Sequence, residues 1–275
     1  MRMHATARSI SRPVQERLLG QAFTARVLAV FYQVCDLVTP AGDVVALVTP
    51  HIGDGPLNVV VDAGPGCFAT VEPDMVARLE AGAQHAAPLL CIGGLEVALE
   101  DAAVWEPRPD WNALRARRAG VGRDAIPSYG IGRDAIPSYA AESLRAGWEG
   151  DLVALREGAA RLAGLGGGLT PTGDDFLTGV MLWAWLAHPD PPVICRAIVE
   201  EAAPRTTTLS AAFLRAAGRG ECSAAWHRFL AALTTGTEDE LAAAVQGVLA
   251  YGATSGADAL AGFLWIGIES RRPPD

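Results

Sequence analysis

The pattern of hydrophobic residues changes near residue 110, and this change limits the fold more than any other feature of the 275-residue chain. Before it, short runs of β-branched and aromatic residues alternate with turns rich in glycine and proline, which is typical of strands. After it, alanine and leucine recur at helical spacing over long segments. We therefore expect an α+β protein, in which a mostly antiparallel β barrel or sandwich precedes an all-α helical domain.

The hydrophobic pattern also predicts where the individual elements lie. In the first half we expect strands within residues 23–34, 43–48, 57–62 and 89–99, and one helix near residues 73–81. In the second half we expect helices within residues 140–163, 174–187, 191–203, 209–217, 224–233, 238–250 and 255–269.

Two domains, residues 1–110 and 140–275, are predicted to be joined by a linker at 111–139. Within that linker, residues 120–129 and 130–139 are a near-perfect duplication of ten residues. Each copy contains glycine and proline, and two copies are too few to stack into a solenoid. We interpret the duplicated segment as a loop lengthened by repetition.

The charge composition excludes several classes of function. The net charge is -9 and the chain has no basic run, so we expect no nucleic-acid partner. All 22 basic residues are arginine, which excludes a Walker A loop and a lysine Schiff base. A small anionic substrate, such as a carboxylate or a phosphate, would have to be held by arginine, backbone amides or hydroxyl groups.

Cysteine usage and hydropathy bear on the cellular compartment. The five cysteines are scattered and show no Cys-x-x-Cys spacing, which favours reduced thiols over a disulfide or metal framework. The start of the chain lacks a signal-peptide core, and the longest apolar run, 176–187, is too short for a bilayer. We expect a cytoplasmic protein without a membrane partner.

The strongest local signal is the segment 164–179, in which glycines lead into an apolar helix. Thr172 is predicted to be the N-cap of this helix, with Asp175 completing a capping box. Capping alone does not explain three consecutive glycines at 166–168, which leave backbone N–H groups open to an anion.

Asp174 and Asp175 are the candidate catalytic residues of this segment. As carboxylates they would repel an anion held by the glycines. They could instead accept hydrogen bonds from a substrate amide or amine, act as a general base, or share a divalent cation. The sequence assigns no metal ligand, and magnesium is the cofactor that two such carboxylates would suit.

The last predicted helix begins with a related phrase. Residues 172–179 align without gaps to residues 255–262, and both read hydroxyl, Gly, any residue, Asp, any residue, Leu, any residue, Gly. Gly179 and Gly262 lie inside their helices, where glycine is costly unless another helix packs closely. We expect two equivalent helices to approach each other, although a capping pattern with a small packing residue also arises by chance.

A third hydroxyl-rich helix start occupies residues 205–210. If the three starts converge, Arg205 would supply a guanidinium for a carboxylate or phosphate, and the threonines would supply neutral hydrogen bonds. The resulting candidate substrate-binding residues are Gly166, Gly167, Gly168, Thr170, Thr172, Arg205, Thr206, Thr207, Ser210, Thr254, Ser255 and Asp258.

Residues 164–179 resemble the signature of the AllH-type subunit of oxamate carbamoyltransferase, a family long catalogued as a domain of unknown function. Residues 205–210 and 254–262 fit its later motifs, and residues 55–60 fit more loosely. The resemblance implies a subunit of a hetero-oligomeric enzyme of purine or allantoin breakdown. That enzyme exchanges a carbamoyl group between oxamate and phosphate, so other subunits are expected partners.

Two other functions are compatible with the same residues. One is a non-catalytic structural subunit, whose helical half docks onto catalytic partners. The other is a metal-assisted hydrolase or transferase that uses Asp174, Asp175 and Asp258.

Overall fold

A computed structural model describes residues 3–20, 23–80, 88–118 and 138–269. The chain divides into two compact units, Met1–Pro107 and Arg108–Asp275. The duplicated segment lies outside the described residues except for Ser138 and Tyr139, which begin a helix. The predicted linker role of that segment stays a prediction.

In its described part, the first unit contains a barrel of eight strands and a ninth strand that pairs with β1. The order around the barrel is β1-β5-β4-β3-β2-β6-β7-β8, and β8 returns to β1. The strands and the one helix between them are β1 (Met3–Ser11), α1 (Arg12–Gly20), β2 (Thr24–Val30), β3 (Val34–Val38), β4 (Val44–Val48), β5 (Asn58–Val61), β6 (Val76–Glu80), β7 (Leu89–Ile92), β8 (Leu95–Ala98) and β9 (Ala103–Trp105).

The strand directions correct one part of the prediction. Six of the eight pairings around the barrel are antiparallel, but β1–β8 and β4–β5 are parallel, as is the outer pairing β1–β9. The predicted barrel is therefore confirmed as a mixed sheet. Closure leaves these eight strands without an unpaired edge, which removes a site for unwanted strand addition.

Alternation along the strands builds the barrel core. Cys35 and Leu37 of β3 belong to the same buried cluster as Val45 and Leu47 of β4, the residues that pair with them in register. Residues of a strand that are two positions apart lie on the same face of the sheet. Val14 of α1 joins this cluster, so the helix between β1 and β2 covers part of the core.

The helix predicted near residues 73–81 is wrong, because Val76–Glu80 forms strand β6. Its Ala, Arg, Leu and Glu residues favour a helix, but β6 pairs with β2 on one side and β7 on the other. Cross-strand packing overrides local propensity here. The sequence prediction also missed β1 and α1, and treated β2 and the start of β3 as one run.

The second unit is helical throughout its described elements, as predicted. Its helices are α2 (Trp111–Arg118), α3 (Ser138–Trp148), α4 (Leu152–Leu162), α5 (Thr172–Ala187), α6 (Pro191–Ala202), α7 (Thr208–Gly218), α8 (Ala224–Thr235), α9 (Glu238–Leu249) and α10 (Ser255–Glu269). A short 3-10 turn, Ala203–Arg205, joins α6 to α7. The predicted segment 140–163 comprises two helices, and α2 lies in the range predicted to be linker.

Helix α5 runs through the centre of this unit. All of its residues between Gly173 and Leu186 are buried except Thr178, which explains why the helix is apolar on every side. Its most extensive packing partner is α10. Among the described helices, none combines the length and the apolarity that crossing a bilayer requires.

Candidate functional site

The three predicted helix starts meet at the loop between α4 and α5, residues 163–171, which we call the glycine loop. On one side, the Thr207 hydroxyl at the start of α7 donates to the carbonyl oxygen of Leu169 in the loop. On the other side, the hydroxyl oxygens of Thr170 and Ser255 are 2.9 Å apart, which ties the loop to the start of α10. The structure therefore brings together segments that are far apart in the sequence.

Asp174 connects α5 to the start of α7 through hydrogen bonds, and it is buried, with an exposed fraction of 1 %. Its Oδ1 accepts from the backbone N–H of Gly164 at 3.0 Å, and its Oδ2 accepts from the hydroxyl of Ser210 at 2.9 Å. The hydroxyl of Thr206 donates to the same Oδ2. Hydroxyl groups that were predicted to bind a substrate anion thus bind the protein's own carboxylate.

Gly164 permits this arrangement. Its φ is +70°, a conformation that side chains with a Cβ rarely adopt, and an added Cβ would lie 2.9 Å from the carbonyl oxygen of Arg205. The glycine therefore lets the loop approach the start of α7 closely enough for its N–H to reach Asp174.

Asp175 has a different environment, although it is adjacent in sequence. It is only 9 % exposed, and the hydroxyl of Ser255 donates to it. Its Oδ2 has no hydrogen-bond partner among the described residues. Burial raises the pKa of Asp175 to about 7, because the charged form loses its hydration. The charges of Asp258 and Asp174 contribute to this rise, while the Ser255 hydrogen bond opposes it.

The predicted capping box at Thr172 is wrong. Thr172 is the first residue of α5, and the N-cap is Pro171, which makes no side-chain hydrogen bond to the helix. The Asp175 side chain is bonded to Ser255 instead, so it pairs with the neighbouring helix rather than with its own N-terminus. By contrast, Thr207 is the N-cap of α7, and its hydroxyl accepts from the N–H of Ser210 at 3.1 Å.

Helices α5 and α10 cross through reciprocal glycine contacts. A Cβ added to Gly179 would overlap the carbonyl oxygen of Ala259, and one added to Gly262 would overlap that of Phe176. Phe176 and Ala259 occupy equivalent positions in the aligned phrases 172–179 and 255–262. Such reciprocity is the mark of a two-fold relation. The close approach of two equivalent helices, inferred from the sequence, is therefore present in the structure.

A narrow cleft opens beside these helix starts. Thr172 and Asp258 supply its polar groups, and the buried Oδ2 of Asp258 lacks a hydrogen-bond partner within the described ranges. The other lining residues are Leu162, Leu165, Gly173, Phe176 and Ala261. Sequence reasoning missed the apolar lining residues, because a leucine or phenylalanine that borders a cleft has the same pattern as one in the core.

The remaining predicted residues contribute in different ways. Gly166, Gly167 and Gly168 are exposed, and a Cβ at Gly167 or Gly168 would meet no atom of the described chain within 4 Å. Thr254 is also exposed, and its carbonyl oxygen accepts from the N–H of Asp258 at 2.9 Å.

Among the described residues, no hydrogen bond links the Arg205 side chain to the glycine loop. Its guanidinium binds the carbonyl oxygen of Glu201 and pairs with the Glu201 carboxylate at 3.0 Å. The Arg205 side chain is 49 % exposed, so this ion pair lies at the surface.

Residues 162–267 match a family model, and they contain all three converging helix starts. The family is the oxamate carbamoyltransferase subunit AllH. The match covers less than half of the chain and confirms the resemblance inferred from residues 164–179, 205–210 and 254–262. No solved structure matches the chain. We call residues 162–267 the AllH region.

The raised pKa of Asp175 predicts a pH dependence of stability in the AllH region. A carboxyl whose pKa rises from 3.8 unfolded to about 7 folded stabilises the native state below its unfolded pKa. That contribution, about 2–4 kcal/mol, should be lost as the pH rises from about 4 to about 7. Urea denaturation across this range should show a smaller loss for Asp175→Asn than for the native protein.

The matched control is Asp190→Asn, which removes an exposed carboxylate from the start of α6. It should leave the pH dependence unchanged. A residual loss is expected in every variant, because burial also raises the pKa of Asp36 in the barrel to about 7. If Asp175→Asn lost as much stability as the native protein over this range, the assignment to Asp175 would be wrong.

Proposed function

We propose that the chain is a subunit of a carbamoyltransferase-type enzyme that acts on a small carboxylate or amide, such as oxamate, with carbamoyl phosphate. One observation carries the proposal. The AllH region coincides with the converging helix starts, and Asp175 is buried there with an oxygen that no group of the described residues satisfies. A buried unsatisfied acceptor is unusual in proteins and suggests a function.

Carbamoyl transfer needs a proton acceptor, which Asp175 would provide. The oxamate nitrogen attacks the carbonyl carbon of carbamoyl phosphate, a C–N bond forms, and the C–O bond to phosphate breaks. The nitrogen must lose a proton during this step. A general base is most effective when its pKa lies near the working pH, and burial raises the pKa of Asp175 to about 7.

The two adjacent carboxylates would then have separate tasks. Asp174 accepts hydrogen bonds from Gly164, Thr206 and Ser210, so we assign it to holding the α7 start against α5. Asp175 retains an oxygen for the substrate. This separation narrows the sequence hypothesis, which treated both aspartates as catalytic.

We propose that the exposed glycine loop holds the anionic groups. No atom of the described residues lies within 4 Å of a Cβ built at Gly167 or Gly168, which leaves space for a phosphate or carboxylate to approach the backbone. Hydroxyl groups of Thr170 and Ser255 border the loop and would add neutral donors. Arg205 would join them after leaving Glu201, and its planar guanidinium suits both anions.

The decisive test is Asp175→Asn in the complex reconstituted with its partner subunits. Turnover should fall by about 100-fold or more, because an amide cannot accept the proton. The melting temperature at neutral pH should not fall, since the native Asp175 Oδ2 makes no hydrogen bond that the amide would lose. Carbamoyl transfer is measured as phosphate release, and melting is measured by circular dichroism.

Asp190→Asn is the control for this assay and should retain native turnover. Full activity of Asp175→Asn in the complex would remove Asp175 from the mechanism. If every site variant stayed active, the chain would be the non-catalytic structural subunit instead.

The metal-assisted alternative has less support. It requires Asp174, whose two oxygens already accept hydrogen bonds from three donors. Within the described ranges, no cluster of three or more His, Cys, Asp or Glu side chains is arranged to hold a metal ion. Asp175 and Asp258 could still bind Mg²⁺ together with water. Turnover that requires added Mg²⁺ would favour this alternative.

We also propose a cellular setting: a cytoplasmic complex that is active in purine or allantoin breakdown. The family description calls its members subunits, which supports a complex with other chains. Five free cysteines support a reducing compartment. Co-purification of partner subunits with the tagged chain tests the complex directly.

A further inference from the structure

Asp175 and Asp258 hold equivalent positions on the two crossing helices. Each is the fourth residue of its aligned phrase, one position before the residue whose carbonyl meets the opposing glycine. Ser255 lies one turn before Asp258, and its hydroxyl donates to the Asp175 side chain. The Asp175 carboxyl therefore lies against the first turn of α10, where Asp258 is also located.

Both carboxyls keep one buried oxygen without a donor. The Oδ2 of Asp175 and the Oδ2 of Asp258 are each buried, and neither has a hydrogen-bond partner in the part of the chain that the structure describes. Asp175 as a whole is 91 % buried, since its exposed fraction is 9 %. Ionised carboxylates only accept hydrogen bonds, so a group that satisfied both oxygens would have to bring two donors.

The cleft beside Asp258 limits the size and character of a group that reaches this carboxyl. Asp175 is not part of the lining, but it lies close enough for the charge of Asp258 to raise its pKa. Asp258 lines the cleft together with Thr172, and the rest of the lining is apolar apart from the Gly173 backbone. The enclosed space suits a group about the size of a water molecule. A hydrated Mg²⁺ ion is larger, because this ion usually keeps several of its waters.

We propose that Asp175 and Asp258 bind the –NH₂ group of a primary amide, with each carboxyl accepting one of its two N–H bonds. The inference rests on the proposed function, in which the substrate is a small amide, and it names the group on that substrate which the chain recognises. Asp258, which the sequence offered only as a general binding residue, becomes the specific partner of Asp175.

Recognition of –NH₂ predicts a sharp discrimination between two nearly isosteric compounds. Oxamate and oxalate differ only in that the –NH₂ of oxamate is replaced by an anionic oxygen. Oxalate would bring a third acceptor to two carboxyls and would satisfy neither of them. A site built to hydrogen-bond a substrate N–H rejects analogues that lack it. The full-length chain should bind oxamate at least about 10-fold more tightly than oxalate by calorimetric titration.

The variants Asp258→Asn and Asp175→Asn test whether both carboxyls accept hydrogen bonds from the –NH₂ group. Each replaces an acceptor with a side-chain amide, whose own –NH₂ opposes that of oxamate and suits oxalate. The preference for oxamate should therefore shrink to about 3-fold or less in both variants. Asp190→Asn should keep the native ratio, and circular dichroism should show that all three variants are folded.

Several results would overturn the inference. These are equal binding of oxamate and oxalate by the native chain, failure to bind either compound, or an unchanged ratio in folded Asp258→Asn. Saturable binding of Mg²⁺ in the absence of other ligands, if Asp258→Asn abolished it, would show that the two carboxyls bind a cation and not an amide.

The outcome can be separated from that of the proposed function. If the reconstituted complex transfers carbamoyl groups but Asp258→Asn keeps the native preference for oxamate over oxalate, only the proposed recognition of –NH₂ is wrong. If the chain discriminates oxamate from oxalate through both aspartates but the complex transfers no carbamoyl group, only the proposed reaction is wrong.

Discussion

Replacing Gly179 with alanine should destabilise the helical unit by about 3 kcal/mol or more. The added methyl group would overlap the carbonyl oxygen of Ala259, which is backbone and cannot rotate away. Helices α5 and α10 would have to separate, and much of the buried surface around Phe263 would loosen. Urea denaturation followed by tryptophan fluorescence reports on this unit, since six of the seven tryptophans lie after residue 108.

The reciprocal packing also predicts the effect of the same change at Gly262. Gly262→Ala should have a similar effect, because its methyl group would overlap the carbonyl oxygen of Phe176. Gly247→Ala in α9 is the matched control, since an added Cβ there meets no atom within 4 Å. That control should stabilise the protein by about 0.5–1 kcal/mol. A small loss of stability in Gly179→Ala together with a large loss in Gly262→Ala would contradict the two-fold relation between the helices.

Asp174→Asn is expected to cost about 2–4 kcal/mol in unfolding free energy. The native carboxylate accepts from three donors, whereas an amide presents an N–H₂ group toward at least one of them. The loss would weaken the attachment of the glycine loop and the α7 start to α5. Chemical denaturation at neutral pH measures it, in parallel with the Asp175→Asn variant.

The comparison between these neighbouring variants is informative because the chemical change is identical. Asp175→Asn removes a buried charge whose Oδ2 has no partner, so it should keep or raise the stability at neutral pH. Equal losses of stability in the two variants would contradict the separation of tasks between Asp174 and Asp175. A destabilised Asp175→Asn would favour a structural role for both carboxyls.

Much of the fold could be predicted from local patterns. The helical segments of the second unit were recognisable because their apolar residues recur at helical spacing, and α5 and α10 begin close to where their glycine and hydroxyl residues indicate. Barrel strands such as β4 and β5 were recognisable from runs of valine. Strand β6 was not, because its pairing with β2 and β7 is non-local and its composition favours a helix.

The sequence indicated which residues form the candidate site better than it indicated the contacts between them. Glycines before a helix, paired acids and repeated hydroxyl groups indicated which residues would gather. Nothing local indicated that Asp174 would bind the α7 start, or that the side chain of Asp175 would bond to Ser255. The apolar walls of the cleft were likewise indistinguishable from ordinary core residues.

The sequence by itself determined the two-part α+β organisation, the three helix starts and the equivalence of the phrases 172–179 and 255–262. Only the tertiary structure decided which aspartate is satisfied and which keeps an unpaired oxygen. The physical reason is the helix itself, since successive residues point about 100° apart around its axis. Two adjacent and chemically identical side chains therefore reach different neighbours, and what those neighbours offer depends on packing between distant parts of the chain.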